Sequence, residues 1–127
     1  MSALLPGQLS DRIARGLDLL GLAFPAEAPD RLARLSELVH DWGQRINLSG
    51  HRSPEKVADR LVLDAAGIAS VLPAFESLAD LGAGAGFPGL PLAILFPHAQ
   101  LTLVESRQRR NHFQRAVIRD LGLENAV

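Results

Sequence analysis

The run Asp80-Leu81-Gly82-Ala83-Gly84-Ala85-Gly86-Phe87-Pro88-Gly89 constrains this chain more than any other stretch of its 127 residues. Glycines this dense are poor material for the interior of a helix or strand, where each costs about 0.5–1 kcal/mol relative to alanine. They suit a sharp turn whose backbone takes positive φ and approaches a ligand with no β-carbon in the way. The flanks agree. Ser77–Leu81 reads as a short strand running into the glycines, and Pro88–Phe96 as a short, mostly buried helix stopped by Pro97. Pro88 sits at or near the first helical position, where a missing amide hydrogen costs nothing. The helix start is therefore expected to aim free amides and partial positive charge at the ligand.

A G-x-G-x-x-G alone is weak. Here Gly84, Gly86 and Gly89 fit that spacing, and Gly82, Gly84 and Gly86 fit G-x-G-x-G. Gln100–Val104 reads as a second strand, and Glu105 stands at its end, about 20 residues on, where an acid can accept both hydroxyls of a ribose. A nucleoside-type ligand is the expectation, against the plainer reading of a tight, ligand-free turn. Nicotinamide and methyltransferase loops share this geometry. Asp80, two residues before the first glycine, is typical of methyltransferase loops, where such an acid helps hold the cationic methionine end of the cofactor. Its plainer reading is a strand-end acid paired with a nearby amide or arginine.

Before Pro73 the periodicity is helical. Leu9, Ile13, Leu17 and Leu20 mark a first helix that starts at Ser10 or a turn earlier and stops at Gly21. Pro29 opens a second, with Leu32, Leu35, Leu38, Val39, Trp42 and Ile46 in one apolar stripe. Asn47–Arg52 reads as a turn. Ser53-Pro54-Glu55 then combines a cap, a fixed φ and an acid for the dipole, opening a third helix toward Pro73. Beyond Glu105, Ser106 is expected to cap a helix reaching about Leu121, with Phe113, Val117 and Leu121 on one face. Glu124–Val127 reads as the first residues of a third strand. Strand, helix, strand, helix, strand start is the rhythm of a parallel α/β sheet. The expected division is a helical cap over 1–72 and a cofactor-binding region over 73–127.

Composition narrows the function classes. With no cysteine, a disulfide framework, a Cys-ligated metal site and thiol catalysis are excluded. The net charge of −1 does not advertise a nucleic-acid partner, so such binding needs a local basic patch. The longest apolar stretch, Leu90–Pro97, is far short of the roughly 20 residues of a membrane span. The start has no signal-peptide pattern, and the default is a cytoplasmic protein.

These residues resemble the RsmG (GidB) family of bacterial ribosomal methyltransferases. That family reads approximately D-x-G-x-G-x-G-F-P-G-x-P-L-A-I, then P, an L-x-D-S segment, K-R and F-L, and L-x-L-x-N. This chain has DLGAGAGFPGLPLAI at 80–94, Pro97, LVES at 103–106, Arg109-Arg110, Phe113 and LGLEN at 121–125. The Gly86–Pro91 run is far more specific than the glycines alone. Further upstream, Trp42, Asn47-Leu48-Ser49, Arg52-Ser53-Pro54 and Asp64 also match, although Leu61 and Ala65 stand where the family has His and Ser. The resemblance implies a Rossmann-like class I methyltransferase sheet, here truncated, with an α-helical N-terminal cap. It implies transfer of a methyl group from S-adenosyl-L-methionine to ring nitrogen 7 of a guanine in small-subunit (16S) rRNA. By carry-over, Gly82, Gly84, Gly86 and Phe87 line the methionine and sulfonium end, Glu105 holds the ribose, and Ser106 and Arg107 add contacts beside it. Phe87 reads equally as a staple packing the helix start. Ring nitrogen 7 carries a free lone pair, so no catalytic acid–base pair is assigned.

Arg107, Arg109 and Arg110 crowd the first turn of the last helix, with Arg115 and Arg119 further on. Positive charge there opposes the dipole. RNA phosphate contacts explain it, with Arg109, Arg110 and Arg115 as the RNA-binding candidates. The plainer reading is a solvated face whose arginines pair with Asp120, Glu124 or the third helix. His112 reads as a surface or packing residue. His40 and His51 lack metal-type spacing, and no metal site is expected. The expected partner is 16S rRNA or the small ribosomal subunit, for a protein that is monomeric at full length and complete only with further strands. The rival readings are an NAD-dependent oxidoreductase fragment and a non-catalytic RNA- or partner-binding remnant.

Overall fold

The computed structural model describes residues 7–46 and 53–127. The expected Asn47–Arg52 turn, and His51 with it, lie outside them. Helix α1 spans Gln8–Leu19 and α2 spans Ala28–Ile46. Ser10 therefore lies inside α1 and caps nothing. Its hydroxyl bonds the Asp30 carboxylate of α2 at 2.5 Å, while Gly7, at φ 86°, occupies the cap position. α1 buries Leu9, Ile13 and Leu17 against α2, which buries Leu32, Leu35 and Val39 in turn.

Ser53 does cap the next helix. Its hydroxyl accepts the Lys56 amide at 3.2 Å, with Pro54 directly behind it. This helix is not uniform. α3, Pro54–Val57, passes through a π-helical turn, Ala58–Val62, into α4, Leu63–Ala69. It stops short of Pro73, and the Ser70 hydroxyl bonds the Gly67 carbonyl there at 2.6 Å. α1 crosses α4 so closely that a β-carbon on Gly16 would lie 2.7 Å from the Leu63 side chain. Arg12 of α1 grips Asp59 of the π turn with two hydrogen bonds, at 2.7 and 2.9 Å.

Strand β1 is Ser77–Leu81, β2 is Gln100–Val104, and they pair in parallel from Ser77 opposite Gln100 to Leu81 opposite Val104. Parallel strands need a crossover. It is α5, Gly89–Leu95, in which every residue is buried. α5 packs on β2 on one side and on α2 and α4 on the other. One continuous core thus joins the N-terminal helices to the sheet. Leu101 and Leu103 face it, while Leu81, Thr102 and Val104 face outward.

The chain end lies along β2. The Leu101 amide bonds the Asn125 carbonyl, Val127 bonds Leu101, and Leu103 bonds Val127, at 2.7–3.0 Å. That is the expected start of a third parallel strand, bridged at Leu101 and Ala126. The Asn125 side chain works in the other direction. Its amide lies 2.9–3.1 Å from the carbonyls of Ala93, Phe96 and Ala99, satisfying the end of α5 and the turn into β2. α6, Gln108–Leu121, then packs on α2. Trp42 meets Phe113 edge-on at 5.5 Å, and Arg34 bonds Asp120 through two 3.2 Å contacts.

Candidate cofactor-binding site

The site is the turn between β1 and α5, with the end of β2 and the start of α6 beside it. β1 delivers Asp80 and β2 delivers Glu105. The loop begins on a fixed anchor, because the amides of Gly82 and Ala83 both bond the Val104 carbonyl, at 2.8 and 3.0 Å. Gly82 and Gly84 have φ of 73° and 58°. The space where a β-carbon would stand is open at Gly82. At Gly84 its nearest neighbour is the Arg110 guanidinium, 3.8 Å away. These two glycines keep a mouth clear. Gly86 and Gly89 serve packing instead, since a β-carbon on either would stand 2.2 Å from a leucine, Leu90 or Leu103. The G-x-G-x-x-G spacing thus mixes two physical demands.

Glu105 closes the loop from below. One carboxylate oxygen accepts the Gly84 amide at 2.8 Å and the other accepts the Arg107 amide at 2.9 Å. The Arg107 amide, then the Gly84 amide, hold its carboxyl below its ordinary value, with Arg110 and Arg107 adding positive charge. Glu105 is therefore ionised throughout the neutral range. Each oxygen keeps a second lone pair, so the pair can still accept two hydroxyl donors. Asp80 is half-buried, and its carboxylate accepts the Gly89 amide at 2.9 Å. Burial pushes its carboxyl up, against the downward pull of that amide. The paired-acid reading of Asp80 is thus realised, and its other oxygen has no hydrogen-bond partner among the described residues.

Two expectations need correction. Ser106 caps no helix. It is exposed, α6 begins at Gln108 after Arg107, and the carboxylate serving that end is Glu105. Nor does α5 offer free amides. Its Gly89 amide is taken by Asp80, its Leu90 amide by the Gly86 carbonyl at 2.6 Å, and Pro91 has none. Among the described residues of the loop, the one amide with no partner belongs to Ala85. Phe87 is partly buried against the core, which fits its packing role.

Sequence reasoning missed Gln114. It is 3% exposed, and its side-chain amide donates to the Gly84 carbonyl at 2.7 Å. The signal available was a polar residue between Phe113 and Val117 on the buried face of α6. The α6 arginines gather as expected. Arg107, Arg109 and Arg110, with Gln108 and Ile46, line a cavity of about 460 Å³ beside the loop. Asp120 is engaged by Arg34 of α2, and no ion pair reaches Arg109, Arg110 or Arg115 among the described residues. Leu61 packs against the core and Ala65 is buried, so neither offers a polar group. No cluster of three metal-ligating side chains occurs among the described residues.

A family model described as rRNA small subunit methyltransferase G matches residues 29–127, which hold the whole of this site. The chain belongs to the rRNA small subunit methyltransferase G family. Relatives agree. It is 42% identical over 116 residues to the ribosomal RNA small subunit methyltransferase G of Chromohalobacter salexigens, covering 91% of this chain and 55% of that protein. It is 40% identical over 122 residues to the protein of the same name from Stenotrophomonas maltophilia, covering 96% and 56%. The counterpart from Pseudomonas paraeruginosa is 38% identical over 116 residues, covering 91% and 54%. The chain spans about half the length of the curated relatives it matches. A family of methyltransferases implies a methyl donor as its cofactor in general.

Proposed function

We propose that this chain is the cofactor-binding part of an S-adenosyl-L-methionine-dependent methyltransferase that modifies ring nitrogen 7 of a guanine in 16S rRNA. The observation that carries the reading is the Glu105 carboxylate, ionised and seated directly under Gly84 at the clear mouth of the loop. A ribose diol needs an acceptor pair of this kind. The relatives, named as ribosomal RNA small subunit methyltransferases, supply the reaction class and the rRNA substrate. In this reading the sheet is Rossmann-like and of the class I type, residues 73–127 belong to it, and residues 1–72 cap it.

Each residue then has a task. Glu105 holds the ribose, with Ser106 and Arg107 flanking it. Gly82 and Gly84 let the methionine end lie against bare backbone, Gly86 lets the loop close onto Leu90 beside it, and Phe87 walls it. Asp80 directs its free oxygen toward the cationic end. Bound cofactor supplies an activated methyl group on a sulfonium. The target nitrogen needs no general base, so this chain's contribution is orientation. Arg109, Arg110 and Arg115, which form no ion pair among the described residues, hold RNA phosphates near the loop. The protein works in the cytoplasm, as a monomer on the small ribosomal subunit.

The test is transfer of labelled methyl from S-adenosyl-L-methionine to small subunits lacking the modification, with the product read by chain cleavage at 7-methylguanine. The full-length protein is expected to label 16S rRNA at one guanine. Replacing Arg109, Arg110 and Arg115 together by Gln should raise the RNA concentration needed for half-maximal rate roughly tenfold or more at moderate salt. Replacing Arg109 and Arg115 without Arg110, whose guanidinium flanks Gly84, should leave S-adenosylhomocysteine binding within about twofold, a loss of no more than roughly 0.4 kcal/mol. Labelling at another atom, or arginine variants indistinguishable from wild type, would contradict the reading.

A further inference from the structure

The glycine loop holds nearly all of its own amides. From Gly82 to Leu90, every backbone amide hydrogen except that of Ala85 has a partner among the described residues. Gly84 is also held from both sides by side chains. Glu105 of the β2 end takes its amide, and Gln114 of α6 takes its carbonyl. The Gly84–Ala85 peptide is trans, so its carbonyl and its amide hydrogen point in opposite directions. Pulling the carbonyl toward Gln114 therefore turns the Ala85 amide away from α6.

We infer that Gln114 is a positioning residue, which fixes the Gly84–Ala85 peptide so that the spare Ala85 amide is presented to an anionic or acceptor group of the bound cofactor. This rests on the cofactor reading above. Among the described residues Gln114 has no other side-chain partner that would account for a buried amide at this place, and burial of an unmatched amide is costly. The position itself does not demand polarity. An apolar residue there would pack and leave the peptide free to turn. Arg110 lies one helical turn before Gln114 on α6, and its guanidinium flanks the same glycine. The α6 face thus meets the loop through one hydrogen bond and one cation.

Two variants test this. Gln114→Leu keeps the apolar packing and removes the donor. Gln114→Glu keeps the shape, sets a carboxylate against the Gly84 carbonyl at neutral pH, and regains an O–H donor when protonated, below about pH 5. Amide hydrogen exchange in the unliganded chain reads the peptide directly. Exchange over residues 84–86 should quicken roughly tenfold in Gln114→Leu, with residues 77–81 unchanged. In calorimetric titration, S-adenosylhomocysteine should bind Gln114→Leu roughly tenfold more weakly, without loss of melting temperature. The deficit of Gln114→Glu relative to wild type should shrink as pH falls from about 7 to about 5. Unchanged loop exchange in Gln114→Leu would overturn the inference. So would a binding loss that tracks lost thermal stability, or a Gln114→Glu deficit that is flat with pH. If the wild-type chain fails to bind at all, the cofactor reading falls, and the exchange comparison still decides whether Gln114 fixes the peptide.

Discussion

At the scale of single residues, the two site carboxylates are tuned in opposite senses. Amides of Arg107 and Gly84 stabilise the charged form of Glu105, whereas burial disfavours the charged form of Asp80. The consequences for stability follow by linkage. A carboxylate held below its ordinary value stabilises the fold at pH above that value, and the benefit is lost as pH falls through the depressed one. A carboxyl held above its ordinary value contributes most below that value, and the contribution is lost as pH rises through the elevated one. Asp80→Asn keeps an acceptor for the Gly89 amide and cannot ionise. Its melting temperature is therefore expected to equal or exceed wild type at pH 7, with the difference closing toward pH 4. Over the same range its affinity for S-adenosylhomocysteine, whose methionine end carries an ammonium, should be roughly five- to tenfold weaker at pH 7. Lower stability at pH 7 with unchanged affinity would show that Asp80 only packs. The sequence made the identity and spacing of both acids legible. It did not show that Asp80 spends one oxygen on Gly89, because that contact depends on how closely β1 and α5 approach.

At the scale of elements, both strands run over the residues their patterns predicted, because short β-rich runs bounded by Pro and Gly leave little freedom. Helix limits were less legible. Ser106 looked like a cap, but Glu105, one residue earlier, already serves that helix end and shifts the start. The π turn within 54–69 has no local signature at all. It arises where the helix must meet α1 and α2 together, which is a tertiary demand. Asn125 is the converse case. Its place in the L-x-L-x-N segment was visible, while its task, satisfying three carbonyls around the end of α5, needed the fold. Asn125→Ala takes this donor from the Ala93 and Ala99 carbonyls, while the Phe96 carbonyl keeps the Ala99 amide. It should cost about 2 kcal/mol in denaturant unfolding with little change in slope. A cost below roughly 0.5 kcal/mol would mean that water replaces the side chain without penalty.

At the scale of the whole molecule, one core ties the N-terminal helices to the sheet, so the loop is positioned by everything behind it. α5 cannot shift without disturbing β2, α2 and α4, and the glycine loop is its leading end. That rigidity suits a site whose contribution is orientation. The glycine run, the acid at the end of β2 and the basic helix were legible because each follows from local chemistry. Gln114 was not, because its partner is thirty positions away in sequence and meets it only through the α5 crossover and β2. The central claim is that the loop with Glu105 beneath it is a cofactor cradle. Isothermal titration of S-adenosylhomocysteine into this chain, with Gly84→Asp alongside, tests it most directly. Gly84→Asp sets a side chain and a negative charge in the mouth at a φ of 58°, next to Glu105. The account predicts binding to the wild-type chain, weak without the further strands, and none detectable to a variant that still melts cooperatively. Equal binding by the two proteins would contradict it.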